Sequence, residues 1–129
     1  MKRIRILVID DNPGVGRTIK GILEYTGKYQ VSVELEARAG LLRAGEAMPA
    51  LILLDLEMPG VDGMEMLQEL KRSDLTRSIP VIVLTGHTEE ELVGREGFDH
   101  DAEHLLKPMT SSKLQETVER VLIARRADP

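Results

Sequence analysis

The chain has 129 residues, a formal net charge of -5 and a sequence pI of about 5.2, with 42% hydrophobic and 30% charged residues, a size and mixture that suit one soluble folded domain spanning residues 1–129. Its acidic balance repels phosphate backbones, and with Tyr25, Tyr29 and Phe98 as its only aromatic residues it lacks stacking platforms, so direct nucleic-acid binding is excluded. The absence of Cys excludes a disulfide framework, a thiolate metal site and a cysteine nucleophile.

The opening "MKRIRILVID" has a basic head, but its apolar run ends at Asp10, too early for a signal peptide or a membrane span. The expectation is a cytoplasmic protein with no membrane contact. Ile4–Ile9 reads as a first strand. Asn12-Pro13 then supplies a helix N-cap with proline at the first helical position; Val15, Ile19, Ile22 and Leu23 share one face, and Gly27 closes the helix. Gly14-Val15-Gly16 resembles the start of a dinucleotide loop, but Ile19 stands where the third glycine belongs and the acids upstream would repel a pyrophosphate.

Val31–Leu35 reads as a second strand, with a short helix around Leu41 to Met48. Leu51–Leu54 is a third strand that delivers a carboxylate, Asp55, before the chain breaks at Pro59-Gly60. Asp62 and Glu65 have the spacing of a capping box, and Gly63, Met66, Leu67 and Leu70 follow the helical period. Val81–Leu84 is a fourth strand, followed by a helix around Glu89 to Glu96 that Gly94 and Gly97 weaken. His104–Leu106 is a weaker fifth strand, and Ser112 with Gln115 repeats the capping device before Leu114, Val118, Val121 and Leu122. His100 and His104 read as two unrelated histidines, because His104 leads into a strand and cannot pair with His100 on one helix face. Met58, Met64, Met66 and Met109 read as gap-filling core or rim residues.

Continuous aliphatic runs indicate strands buried on both faces, so the fold class is α/β: a doubly wound, five-stranded parallel sheet with helices on both sides. Ligands of such sheets sit beyond the carboxyl ends of the strands. There the sequence places Asp10-Asp11, Asp55, Thr85 and Lys107. Each alone has an ordinary role as a cap, turn former, strand residue or surface charge; their convergence is what carries chemistry. Carboxylates packed together repel by roughly 4 kcal/mol per pair at 4 Å with an effective dielectric near 20. Lys107 offsets part of this, and a hard cation bound by oxygen ligands, Mg²⁺, suits the rest. A metal, a lysine, a hydroxyl and a nucleophilic carboxylate suit phosphoryl transfer.

"LVIDDNP", "LLDLEMPGVDG", "VIVLTG" and "LLKP", in that order and over nearly the whole chain, resemble the receiver domain of two-component response regulators. The resemblance implies a flavodoxin-like (βα)5 fold. It implies Asp55 as phosphoacceptor, with Asp10, Asp11, Asp55 and the Glu57 backbone carbonyl around Mg²⁺. Thr85 and Lys107 would contact the phosphoryl group, and the Lys107-Pro108 peptide would be cis. A histidine kinase or histidine phosphotransfer protein would be the donor. The face formed by the fourth helix, fifth strand and fifth helix would meet a downstream target or output domain, or a second copy of the chain. The protein would then be a switch with self-phosphorylation and autodephosphorylation, not a turnover enzyme.

Some positions depart from the family pattern. His104 stands where receivers carry Tyr or Phe, so the aromatic swing coupled to Thr85 would pass to an imidazole that titrates near neutrality. Glu57 and His87 occupy variable positions where phosphoryl lifetime is tuned. "GFDHDAEHLL" lacks the Gly-Ala pair common before the fifth strand. Two other classes share some of the chemistry: a small Mg²⁺-dependent phosphatase similar to the haloacid dehalogenase-like enzymes, and a receiver-like scaffold that works without phosphorylation.

Overall fold

The structure is a computed structural model that describes residues 2–99 and 101–127; His100 lies outside the described residues. Among the described residues five strands alternate with five helices: β1 (Ile4–Ile9), α1 (Pro13–Tyr25), β2 (Tyr29–Glu34), α2 (Ala37–Ala47), β3 (Leu51–Asp55), α3 (Gly63–Arg72), β4 (Val81–Thr85), α4 (Glu89–Leu92), β5 (Glu103–Leu106) and α5 (Ser111–Ala127). All neighbouring strands are parallel, in the order β2-β1-β3-β4-β5. The order reverses between β1 and β3, the point at which such sheets place ligands beyond the carboxyl ends of their strands.

Alternation along the strands divides the aliphatic runs between two cores. Leu7, Ile9, Ile52, Leu54, Val81 and Val83 face one side, where Ala37 and Ala44 of α2 and Met64, Leu67 and Leu70 of α3 cover them. Ile6, Val8, Leu51, Leu53, Ile82 and Leu84 face the other, under Ile19 and Leu23 of α1 and Leu114, Val118 and Leu122 of α5. Each fully buried aliphatic side chain stabilises the fold by about 1.5–3 kcal/mol. The carboxyl ends of β1 and β3 are therefore rigidly placed.

The helix ends follow local chemistry, with some corrections to the sequence reading. Asn12 caps α1 by accepting hydrogen bonds from the N–H groups of Gly14 and Val15, as its sequence position implies. Asp62 accepts from Met64 N–H at the start of α3. At α5 the cap is Thr110, whose hydroxyl accepts from Lys113 N–H, so the helix begins earlier than a Ser112 cap allows. The second helix also begins earlier than Leu41 and ends with Met48 in the left-handed conformation. Leu35 lies outside β2 and is exposed.

The fourth helix is shorter than its sequence pattern suggests. Thr88 and Glu91 form a reciprocal capping box, but only Glu89–Leu92 is helical. Gly94 and Gly97 follow with φ of 94° and 85°, left-handed conformations that stop the helix from propagating. Met58, Met64 and Met66 are buried core residues, and Met109 packs against the α1/α5 core.

Gly63 positions the segment that follows β3. A Cβ there would stand 2.5 Å from Leu56 Cα and 2.6 Å from its carbonyl oxygen, so α3 starts against the backbone just past Asp55. Gly63→Ala forces that backbone to shift. It is expected to lower the urea midpoint by the equivalent of about 1–3 kcal/mol with an unchanged m-value, measured by equilibrium unfolding.

Candidate functional site

Five side chains predicted to converge do so at the carboxyl edge of the sheet. Asp10 follows β1 and is fully buried; Asp55 ends β3 and is 2% exposed; Thr85 ends β4 and is also buried. Asp11 is exposed beside them. Lys107 follows β5, its backbone N–H donating to Thr85 O at 2.8 Å, so the strand ladder itself carries the lysine to the site. The Lys107-Pro108 peptide is cis, as the resemblance implied.

The ammonium of Lys107 bridges the two buried carboxylates, 3.2 Å from Asp10 Oδ2 and 3.1 Å from Asp55 Oδ1. Local backbone donors hold the same carboxylates. Asn12 N–H donates to Asp10 Oδ1 at 2.9 Å, and Glu57 N–H donates to Asp55 Oδ1 at 3.0 Å. Asp10 therefore also shapes the turn into α1, a role the sequence reading gave wholly to Asn12.

Burial pushes the Asp10 carboxyl above the ordinary aspartate range, with the neighbouring Asp55 charge acting in the same direction; the Asn12 N–H and Lys107 oppose it. Burial works against the charge on Lys107, but its hydrogen bond to Asp55 and the fields of both aspartates outweigh that, and its pKa is raised. One ammonium thus serves two buried carboxylates.

Asp10 Oδ2 receives no well-directed hydrogen bond, although the Lys107 ammonium lies nearby. Asp10, Asp11 and Asp55 each bring a carboxylate oxygen to within 4.8 Å of the others. An orphaned buried oxygen in an all-oxygen cluster fits a hard divalent cation, which would take Asp10, Asp11 and Asp55 as ligands.

The end of β4 shows an arrangement the sequence did not reveal. Thr85 Oγ1 donates to Glu57 Oε2 at 2.8 Å, and Gly86 N–H donates to Glu57 Oε1 at 2.7 Å. His87 N–H in turn donates to Thr85 Oγ1 at 3.0 Å. The sequence marks Glu57 by its position alone, and the backbone donor of Gly86 leaves no signal in residue type. The His87 ring lies against α4, its Nδ1 3.3 Å from Glu91 Oε2. His104 stacks on Phe98 with ring centroids 5.4 Å apart and an interplanar angle of 28°.

Charge neutralisation at Asp10 should reveal the crowding. In metal-free buffer at pH 7, Asp10→Asn is expected to be more stable than the unsubstituted protein by on the order of 1 kcal/mol in urea unfolding. Because the folded-state pKa of Asp10 is raised, the unsubstituted protein loses stability as pH rises through that value. The advantage of Asp10→Asn should therefore shrink as pH is lowered and Asp10 takes up its proton.

Comparison with known proteins finds similar chains. The model of the response regulator receiver domain matches residues 6–119. The chain is 35% identical over 123 residues to the probable methanogenesis regulatory protein FilR2 of Methanothrix harundinacea, covering 90% of this chain and 79% of that protein. It is 36% identical over 127 residues to the DNA-binding dual master transcriptional regulator RpaA of Synechocystis, covering 96% of this chain but only 50% of that relative's length. A solved CheY-like receiver domain protein from Methanospirillum hungatei superposes with a TM-score of 0.84 at 26% identity, covering 99% of this chain and 100% of that one.

Proposed function

The chain belongs to the response regulator receiver domain family, whose members act as phosphoacceptors in two-component signalling, and on that footing we propose that Asp55 accepts a phosphoryl group and that residues 1–129 work as one receiver domain. The observation that carries this reading is the Lys107 ammonium held 3.1 Å from Asp55 and 3.2 Å from Asp10 in a buried acidic cluster. A histidine kinase or histidine phosphotransfer protein is the donor. The phosphorus–nitrogen bond of its phosphohistidine breaks as a bond forms from an Asp55 carboxylate oxygen to phosphorus. The leaving imidazole keeps the electron pair and takes a proton from solvent.

Receiver domains bind Mg²⁺ at such acidic sites; Asp10, Asp11, Asp55 and the Glu57 backbone carbonyl would hold it here, where it would neutralise phosphoryl oxygens. Lys107 offsets the charge that gathers on the transferring group. The Thr85 hydroxyl donates to a phosphoryl oxygen, and His104 relays that contact as the second switch residue. Glu57 and His87 tune how long the phosphoryl group survives. Phosphorylation stabilises a second conformation and so shifts a population.

The readout face combines α4, β5 and α5, where Leu106 and Ile123 are exposed. A downstream protein, an output domain or a second copy of the chain docks there. Relatives such as RpaA bind DNA, whereas a chain of net charge -5 has little direct attraction for it. No helix among the described residues is long and apolar enough to cross a membrane. The cytoplasm, where response regulators typically act, is the site of function.

Incubation with Mg²⁺ and acetyl phosphate should add one phosphoryl group, about 80 Da as the mass of HPO₃, to the intact mass. The adduct should survive acid, be removed by hydroxylamine and be absent from Asp55→Ala. Continuous donor consumption without an adduct would instead indicate a phosphatase. Neither adduct nor consumption would indicate a scaffold independent of phosphorylation.

A further inference from the structure

The Glu57 carboxylate occupies two donors at the end of β4. Its Oε2 accepts from the Thr85 hydroxyl at 2.8 Å and its Oε1 from Gly86 N–H at 2.7 Å. Glu57 is exposed, so water is freely available to it, yet both oxygens are spent on this pair. Its own backbone N–H meanwhile donates to Asp55 Oδ1 at 3.0 Å. One residue therefore touches the β3 carboxylate through its backbone and reaches the end of β4 through its side chain.

Two donors converging on one anionic, planar O–C–O group form an anion cradle. The equatorial oxygens of a phosphoryl group offer a similar pair of charged acceptors, and charge-assisted bonds of this kind are short and strong. We propose that Glu57 is an intramolecular stand-in for the phosphoryl group, occupying the Thr85 hydroxyl and Gly86 N–H until an anion on Asp55 displaces it. This deepens, and rests on, the phosphoacceptor reading of Asp55.

Displacement has two components. The carboxylate must give up two hydrogen bonds to protein for hydrogen bonds to water, and it remains close to a second anion. Both lower the affinity of the site for a phosphoryl group. Glu57 acts here as a positioning residue; the side chain neither accepts the phosphoryl group nor supplies the metal contact assigned to its backbone carbonyl.

The test uses beryllium trifluoride, a non-transferable phosphoryl analogue, at saturating Mg²⁺ with the unsubstituted chain, Glu57→Gln and Glu57→Ala. Apparent affinity and the Gly86 amide proton shift are both read by NMR. Glu57→Ala is expected to bind about tenfold more tightly, with Glu57→Gln between the two. In the resting unsubstituted protein the Gly86 amide should lie downfield, as befits a short bond to a carboxylate, and move little on binding. In Glu57→Ala it should start upfield and move to the same bound position.

Equal or weaker binding by Glu57→Ala overturns the proposal. So does a resting Gly86 shift that is the same with and without the carboxylate, since tighter binding would then reflect charge alone. If no variant binds the analogue and acetyl phosphate leaves no adduct on Asp55, the phosphoacceptor reading fails and this proposal falls with it. Phosphorylation of Asp55 with unchanged affinities overturns the stand-in while leaving that reading intact.

Discussion

A single ammonium holding two buried carboxylates is the constraint on which the rest of the site depends. Asp10 and Asp55 sit where water barely reaches, and Lys107 stands within about 3 Å of both. Burying an ionised carboxylate without a partner costs several kcal/mol. The sheet must therefore deliver three strand ends to one point. Two aliphatic cores do this by fixing β1, β3 and β4 from both faces, and the ladder bond from Lys107 N–H to Thr85 O extends the same register to the lysine. Even so, the balance is incomplete, because one Asp10 oxygen lacks a directed donor. The negative charge gathered at these strand ends thus exceeds what one ammonium offsets.

Much of this was legible in the residues. Unbroken aliphatic runs can satisfy both faces of a strand only in a sheet covered on both sides, and this sheet divides Leu51 and Leu53 from Ile52 and Leu54 accordingly. Asn12-Pro13 is a strong local signal because its two effects, a side-chain acceptor and a preset φ, agree with each other. The convergence of Asp10, Asp55, Thr85 and Lys107 followed from topology alone, since parallel strands end on one edge.

What escaped the sequence was set by alternatives that residue type does not separate. Thr110 and Ser112 both have the side chain of a cap, and it is the Thr110 hydroxyl that takes the Lys113 N–H. Helical periodicity extended past Leu92, but two glycines with positive φ ended α4 early. The side chain of Glu57 is exposed yet bonded to a pair of donors at the end of β4, and residue type does not distinguish such partners from water. Backbone donors such as Gly86 N–H are invisible to any reading based on side-chain chemistry.

The brevity of α4 has a consequence for how this protein transmits a signal. A single turn offers few internal hydrogen bonds, and the segment after it is held by turns, by buried Leu92 and by the Phe98–His104 stack. Opening free energies across a native protein range from near zero at weakly held segments to the global value in the core. The α4 side of the molecule belongs at the low end of that range, while β1, β3 and β4 belong at the top. A stiff floor beneath a pliable wall means that the wall can reorganise as a small cooperative unit of its own without deforming the sheet.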